Sequence, residues 1–321
     1  MKLSELVAYR NHLSGFDVDN IQYTARRKLE EIVYNVKNSV IQPRAFTQTL
    51  EEDQSRVVDS FGHFSSTLAE LISELDGMIE TAEKTQYAES TRLYNEEIAR
   101  YGRLDEPTNK KVNQQILDRR MPMTADVQQM ISNRIKSYAD WKYPGLIIRP
   151  GVEAFVSDLV ALDPLYIVDY STELLQPALS GFPEEYQRRL RTYEQDPRSP
   201  NVLTTLPDNQ FGLCLAFNFF EFTPLEVVEQ YLKSIFNKLR PGGVLAMTFN
   251  DCDRAHCVSL VEKNFCFYTP GKRVTAIAKA IGYRQMFSWT DTNNLTWLEL
   301  RKPGELSSNR GGQTLAKIVQ K

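Results

Sequence analysis

Long apolar runs, cysteines and histidines are scarce in this 321-residue chain, and each shortage removes a class of protein. No stretch of about 18 apolar residues occurs, which excludes a membrane-spanning helix. The opening "MKLSELVAYRNHLSGFDVDN" has no apolar core of signal-peptide length, so the cytoplasm is the expected compartment. The four cysteines, Cys214, Cys252, Cys257 and Cys266, lack paired short spacing and are expected as free thiols. "DCDRAHC" (251–257) brings two of them to His256 but supplies no fourth ligand, so no metal is expected. Charge of one sign is also lacking: 38 Lys+Arg stand against 41 Asp+Glu, a net charge of −3. That balance gives no reason to expect nucleic acid or an anionic membrane as partner.

What is present suits a soluble chain with a sizeable core: 42% hydrophobic and 25% charged residues, over a length that favours two domains. The pattern changes near residue 140. Before it, Ile21, Ala25, Leu29, Ile32, Val36 and Val40 share one helical face, and Pro43 follows as a stop. Val57, Phe61, Phe64, Leu68, Leu71, Leu75, Met78 and Ala82 then form a heptad seam. The seam slips and resumes through Tyr87, Tyr94, Ile98 and Tyr101, as an inserted stutter would make it. One helix over about 52–101 is expected, whose stripe needs a cover: the first helix, a second copy of the chain, or another protein. "RLDEPTNKKVNQQ" (103–115) reads as a linker, followed by a weak helical stretch at 112–120. A helix over 124–141 is capped by Thr124 and carries Val127, Ile131, Ile135 and Tyr138 on one side. The expected organisation is a helical region 1–110, a helical cover 111–143, an α/β domain 144–302 and a tail 303–321.

From 145 onward strands alternate with helices. "LII" (146–148), "LYIVD" (165–169), "NVLTT" (201–205), "FGLCLAFNFF" (211–220) and "VLAMTFN" (244–250) read as strands. Helices are expected at 152–162, 224–243 and within 270–283, and "RQMFSWTD" pairs with "TWLELRK" around "TNN". Continuous apolar strands between helices argue for a largely parallel sheet covered on both faces.

This arrangement resembles the class I S-adenosylmethionine-dependent methyltransferases. The strand–turn–helix at 146–162, Asp169 closing the next strand, "LPDNQFGLCLAFNFFEFTP" (206–224) and "YLKSIFNKLRPGGVLAMTFND" (231–251) carry the resemblance. It implies a Rossmann-like seven-stranded α/β sheet, with the helical, coiled-coil-like region lying outside it. It also implies S-adenosylmethionine as cofactor and a methyl acceptor that the sequence leaves unidentified. Ligands of such sheets bind beyond the carboxyl ends of the strands. Asp169 is therefore placed to accept from the ribose hydroxyls or to cap the helix after "DYST". Tyr170 is placed to lie against the adenine or to pack. Asn218 lines the cofactor and reacting-group pocket or ties down its own loop. Glu221, the lone acid among Phe217, Phe219, Phe220 and Phe222, orients or deprotonates an acceptor or serves as a cap.

The turn "RPGVE" (149–153) departs from the family's glycine-rich pattern, keeping Gly151 alone. Arg149 at the first glycine position blocks the pocket, pairs with the cofactor carboxylate, or closes the turn on Glu153. An acidic residue after the third strand is missing if "NVLTT" is that strand, and Gly212 replaces the usual aspartate after Phe211. Two functions remain open. One is a methyltransferase with Arg149, Gly151, Asp169, Tyr170 and Asn218 on the cofactor and Asn218 or Glu221 on the acceptor. The other is a non-catalytic relative that assembles through the 57–101 helix, with a second copy or another protein.

Overall fold

The computed structural model describes residues 2–37, 44–100, 123–149, 155–170, 175, 179–199, 201–291, 293 and 295–305. The chain divides into two compact units, Met1–Thr85 and Gln86–Lys321. The division falls inside a helix, whereas the expected 110/111 boundary, the 103–115 linker and the 112–120 stretch lie outside the described residues.

The first unit holds α1 (Leu3–Ser14), α2 (Val18–Lys37) and the first part of α3 (Arg44–Arg100). Helix α1 was not anticipated, because its apolar residues are few; Leu3, Leu6 and Val7 are nevertheless buried. Arg10 Nε donates to Asp76 Oδ1 at 3.0 Å and ties α1 to α3. The heptad seam is only half covered here. Leu68 is buried, while Phe64, Leu71 and Met78 are 47%, 46% and 49% exposed.

The resumed seam belongs to the second unit. Tyr87 meets Tyr268 edge-on at 5.1 Å, Tyr94 meets Phe267 at 6.1 Å, and Ile98 joins the main core. The slip read as a coiled-coil stutter is therefore a change of partner: the same helix presents one stripe in each unit, and the phase shifts at the division between Thr85 and Gln86.

The second unit is built on one seven-stranded sheet in the order β3-β2-β1-β4-β5-β7-β6. Its strands are β1 (Gly145–Ile148), β2 (Leu165–Asp169), β3 (Leu190–Glu194), β4 (Phe211–Ala216), β5 (Leu239–Asn250), β6 (Arg284–Thr290) and β7 (Leu295–Arg301). The first five pair in parallel, and β7 runs antiparallel between β5 and β6. Described helices are α4 (Ala125–Tyr138), α5 (Val156–Leu159), α6 (Glu184–Gln187), α7 (Leu225–Lys238), α8 (Ala255–Glu262) and α9 (Gly271–Ile281). Two separate apolar clusters cover the sheet's faces. Burial of β1 and β4 at every position explains their uninterrupted apolar runs.

Two strand-level expectations and one helix are corrected. The third strand is "LRTYE" (190–194), inside what read as a loop, while 201–205 is turn. Strand β5 starts at Leu239 rather than 244, and carries the Pro241-Gly242-Gly243 stretch within it. A register shift between Phe211 and Leu213 accommodates that stretch, and Gly242 takes φ +79. The helix expected over 152–162 is described as α over Val156–Leu159 only. Helix α8 was not anticipated.

Helix α4 begins as expected, with Thr124 accepting from the Val127 N–H at 3.4 Å. Its Arg134 reaches Glu299 on β7, a fully buried carboxylate that also accepts from Tyr138 at 2.6 Å and from Trp297 Nε1 at 2.9 Å. Gly212, the missing aspartate, has a packing cause: a Cβ there would stand 2.8 Å from the Tyr143 Cβ. All four cysteines are buried, and none forms a disulfide. No helix among the described residues is long and apolar enough to cross a membrane.

Candidate functional site

Strand order reverses between β1 and β4, so the crevice beyond their carboxyl ends is where a ligand of this sheet is expected. Three strand ends deliver side chains there. Arg149 follows β1 directly, with its N–H donating to the Val168 carbonyl at 2.7 Å and φ at +56. The guanidinium turns toward the crevice. It lies 5.5 Å from the Tyr170 ring centre and 5.9 Å from that of Phe219, a distance at which the ring faces attract a cation. No carboxylate among the described residues lies within ion-pair distance of it, although Glu153 and Gly151 fall outside the description.

Asp169 ends β2 and is buried. Its Oδ1 accepts from the Tyr170 N–H at 2.6 Å, while its Oδ2 is buried without a partner. Burial pushes its carboxyl up to about 6, against the opposing effect of Arg149 and the Tyr170 amide. Capping of a helix after "DYST" concerns residues 171–174, which lie outside the description. Tyr170 is buried, and its hydroxyl stands 3.4 Å from that of Tyr94 on α3. Burial drives the Tyr170 phenol well above its ordinary value.

Asn218 follows β4 in a left-handed conformation, φ +51, and its N–H donates to Thr248 Oγ1 of β5 at 2.9 Å. That bond ties the end of β4 to β5. Glu221 sits one turn further on, in the 3-10 turn Phe220–Phe222, with no exposed surface. Neither of its carboxylate oxygens has a hydrogen-bond partner. Burial pushes it up to about 7; the Thr248 hydroxyl, the Glu221 and Phe219 amides and Arg149 pull the other way without any of them forming a well-aligned bond. Phe217, Phe219, Phe220 and Phe222 are all buried, as core phenylalanines would be.

The structure thus brings Arg149, Asp169, Tyr170, Asn218 and Glu221 to one end of the sheet. It adds Tyr94, which the sequence placed on a seam; the signal that could have found it was the phase slip. It also restores an acid after the third strand. With β3 at 190–194, Gln195 and Asp196 follow it, although Asp196 pairs with Arg198 at 2.9 Å.

A doubly covered sheet of this order, with Arg149, Asp169 and Asn218 at or just beyond the β1, β2 and β4 ends, defines a Rossmann-like α/β domain. Residues 151–247 match the family model described as a methyltransferase domain. No curated protein sequence matches the chain. Among solved structures, it is similar to an O-methyltransferase family protein from Burkholderia thailandensis. That likeness has 10% identity and TM-score 0.46, covering 68% of this chain and 72% of that one. A SAM-dependent methyltransferase from Aquifex aeolicus is similar at 12% identity and TM-score 0.40, over 54% of this chain and 88% of its own. The [4+2]-cyclase SpnF is similar at 12% identity and TM-score 0.45, over 56% and 83%. Likenesses this low carry no inference about reaction or substrate.

Proposed function

We propose that the chain transfers a methyl group from S-adenosylmethionine to an acceptor whose identity is open. The observation that carries this reading is the half-satisfied Asp169: one oxygen is held by the Tyr170 amide, and the other is buried with no donor. A buried acceptor left unpaired costs about 1–3 kcal/mol, so the site is complete only with a ligand that donates there. A ribose hydroxyl is such a donor, and the methyltransferase-domain match supports the choice.

In this reading Asp169 holds the ribose and Tyr170 packs beside the adenine. Arg149 pairs with the carboxylate of the cofactor's amino-acid part, and Gly151 lets the turn approach it. When bound, the cofactor supplies an electrophilic methyl on a sulfonium, so the protein's task is alignment and exclusion of water. Asn218, fixed by Thr248, borders the reacting end. Glu221 is the group proposed to orient the acceptor or take its proton, and its poise near neutral pH suits that task.

Calorimetry with S-adenosylmethionine and S-adenosylhomocysteine tests the reading. Binding at micromolar to sub-millimolar ligand is expected; no heat at millimolar ligand would reject it.

A further inference from the structure

Two buried carboxyls and one guanidinium share the strand-end crevice. Asp169 and Glu221 are 3% and 0% exposed, and three of their four oxygens have no hydrogen-bond partner. Arg149 draws both carboxyls downward through space, but burial outweighs it at each. The other titratable groups described at this end add no cation. Burial drives up the phenols of Tyr94 on α3, Tyr170 after β2 and Tyr231 on α7, so they stay neutral. Asp251, past the end of β5, is turned to the start of α9 and accepts from the Gly271 N–H at 2.9 Å. Among the described residues, two acids thus face one base.

In the cofactor reading, on which this inference rests, Arg149 is taken up by the ligand's carboxylate and the ribose hydroxyls satisfy Asp169. Glu221 then loses the cation acting on it, and a buried carboxylate left alone is costly. It stands three residues past Asn218, which borders the reacting end, and its backbone is fixed there by the Phe267 N–H at 3.0 Å. The buried phenylalanines around it, Phe219, Phe220 and Phe222, supply no charge.

We infer that Glu221 is the counter-charge of the ligand's sulfonium, so that the crevice distinguishes the methylated cofactor from its demethylated product. S-adenosylmethionine brings a cation to that end, whereas S-adenosylhomocysteine has a neutral thioether there. With two unpartnered oxygens, Glu221 can meet the sulfonium with one and the acceptor with the other. Methyl transfer breaks the carbon–sulfur bond and leaves its electron pair on sulfur, which discharges the sulfonium. The product then lies against an uncompensated buried acid, and its release is favoured.

Calorimetric titration of the full chain with three ligands, at about pH 6 and about pH 7.5, tests this. At the higher pH, S-adenosylmethionine should bind at least about tenfold more tightly than S-adenosylhomocysteine. Sinefungin, which carries an ammonium in place of the methylated sulfur, should bind like S-adenosylmethionine. The preference should shrink at the lower pH, where Glu221, pushed up to about 7, is protonated. Glu221→Gln should bind both S-adenosyl ligands equally at either pH, whereas a merely damaged fold would weaken both and keep their ratio. Equal or tighter binding of S-adenosylhomocysteine by the wild type would overturn the proposal, whether or not the variant folds. A preference that survives Glu221→Gln would do the same, including an equal loss for both ligands, which would put Glu221 on the ammonium they share. If none of the three ligands binds, the cofactor reading itself falls and takes this inference with it.

Discussion

Glu299, on β7, and Glu221, in the 3-10 turn after β4, are both glutamates with no solvent exposure, yet they are held in opposite ways. Glu299, on β7, accepts from Arg134, Tyr138 and Trp297. Burial pushes its carboxyl up, but those bonds outweigh it, and the net shift is downward. Glu221, at the strand-end crevice, has no bonded partner, and burial wins. A satisfied buried acid fastens one element to another; here it clamps α4 to the sheet. An unsatisfied one carries a cost that binding or protonation removes.

The largest expected effect tests the satisfied member. Glu299→Ala leaves Arg134, two-thirds buried and stacked on Phe287 at 4.6 Å, without its carboxylate. A loss of about 3 kcal/mol in denaturant-measured stability is expected, and a loss under about 0.5 kcal/mol would show that the clamp contributes little. The matching change at the other acid should have the opposite sign. A raised carboxyl favours the fold below its unfolded value near 4.5, and that contribution is lost as pH rises through about 7. Glu221→Gln removes the buried charge, at the cost of burying an amide. It should therefore gain about 1 kcal/mol at pH 8 and nothing at pH 5. If Glu221→Gln destabilises the chain at pH 8 as Glu299→Ala does, the contrast between the two acids collapses.

Two binding predictions sharpen the crevice side. Asp169→Ala should weaken S-adenosylmethionine and adenosine alike, by more than about tenfold or 1.4 kcal/mol. Arg149→Ala should weaken S-adenosylmethionine by a similar factor and leave adenosine unchanged, since adenosine has no carboxylate. Equal loss for both ligands would take Arg149 off the amino-acid end. The smallest effect is a pH dependence. Accepting two hydroxyl donors requires ionised Asp169, so affinity should be flat above pH 7 and fall below about 6. Affinity that rises on acidification would remove the ribose assignment.

The interior strands were legible because β1, β2, β4 and most of β5 are buried on both faces, which forces uninterrupted apolar sequence. Strand β3 was not, because it lies at an edge: only Leu190 of "LRTYE" is buried, so Arg191, Thr192 and Glu194 disguise it. "NVLTT" was more apolar for a different reason: Val202 and Leu203 are buried from within a turn. That one misplacement also created the apparent lack of an acid after the third strand. At the site, residue types at strand ends could be read in advance. Their satisfaction could not, since the orphaned oxygens of Asp169 and Glu221 depend on atoms distant in sequence. Tyr94 shows the same limit: heptad spacing says that a stripe is covered, never by what.

The backbone of Arg149 has one more implication. A non-glycine residue at φ +56 carries about 1–2 kcal/mol of local strain that a glycine would not. Reverting the position to the family's glycine should therefore make the ligand-free chain more stable while stripping the cation from the mouth of the crevice. Stability and charge pull this one residue in opposite directions. The arginine marks a place where the chain tolerates local frustration while a guanidinium stands over the Tyr170 and Phe219 rings.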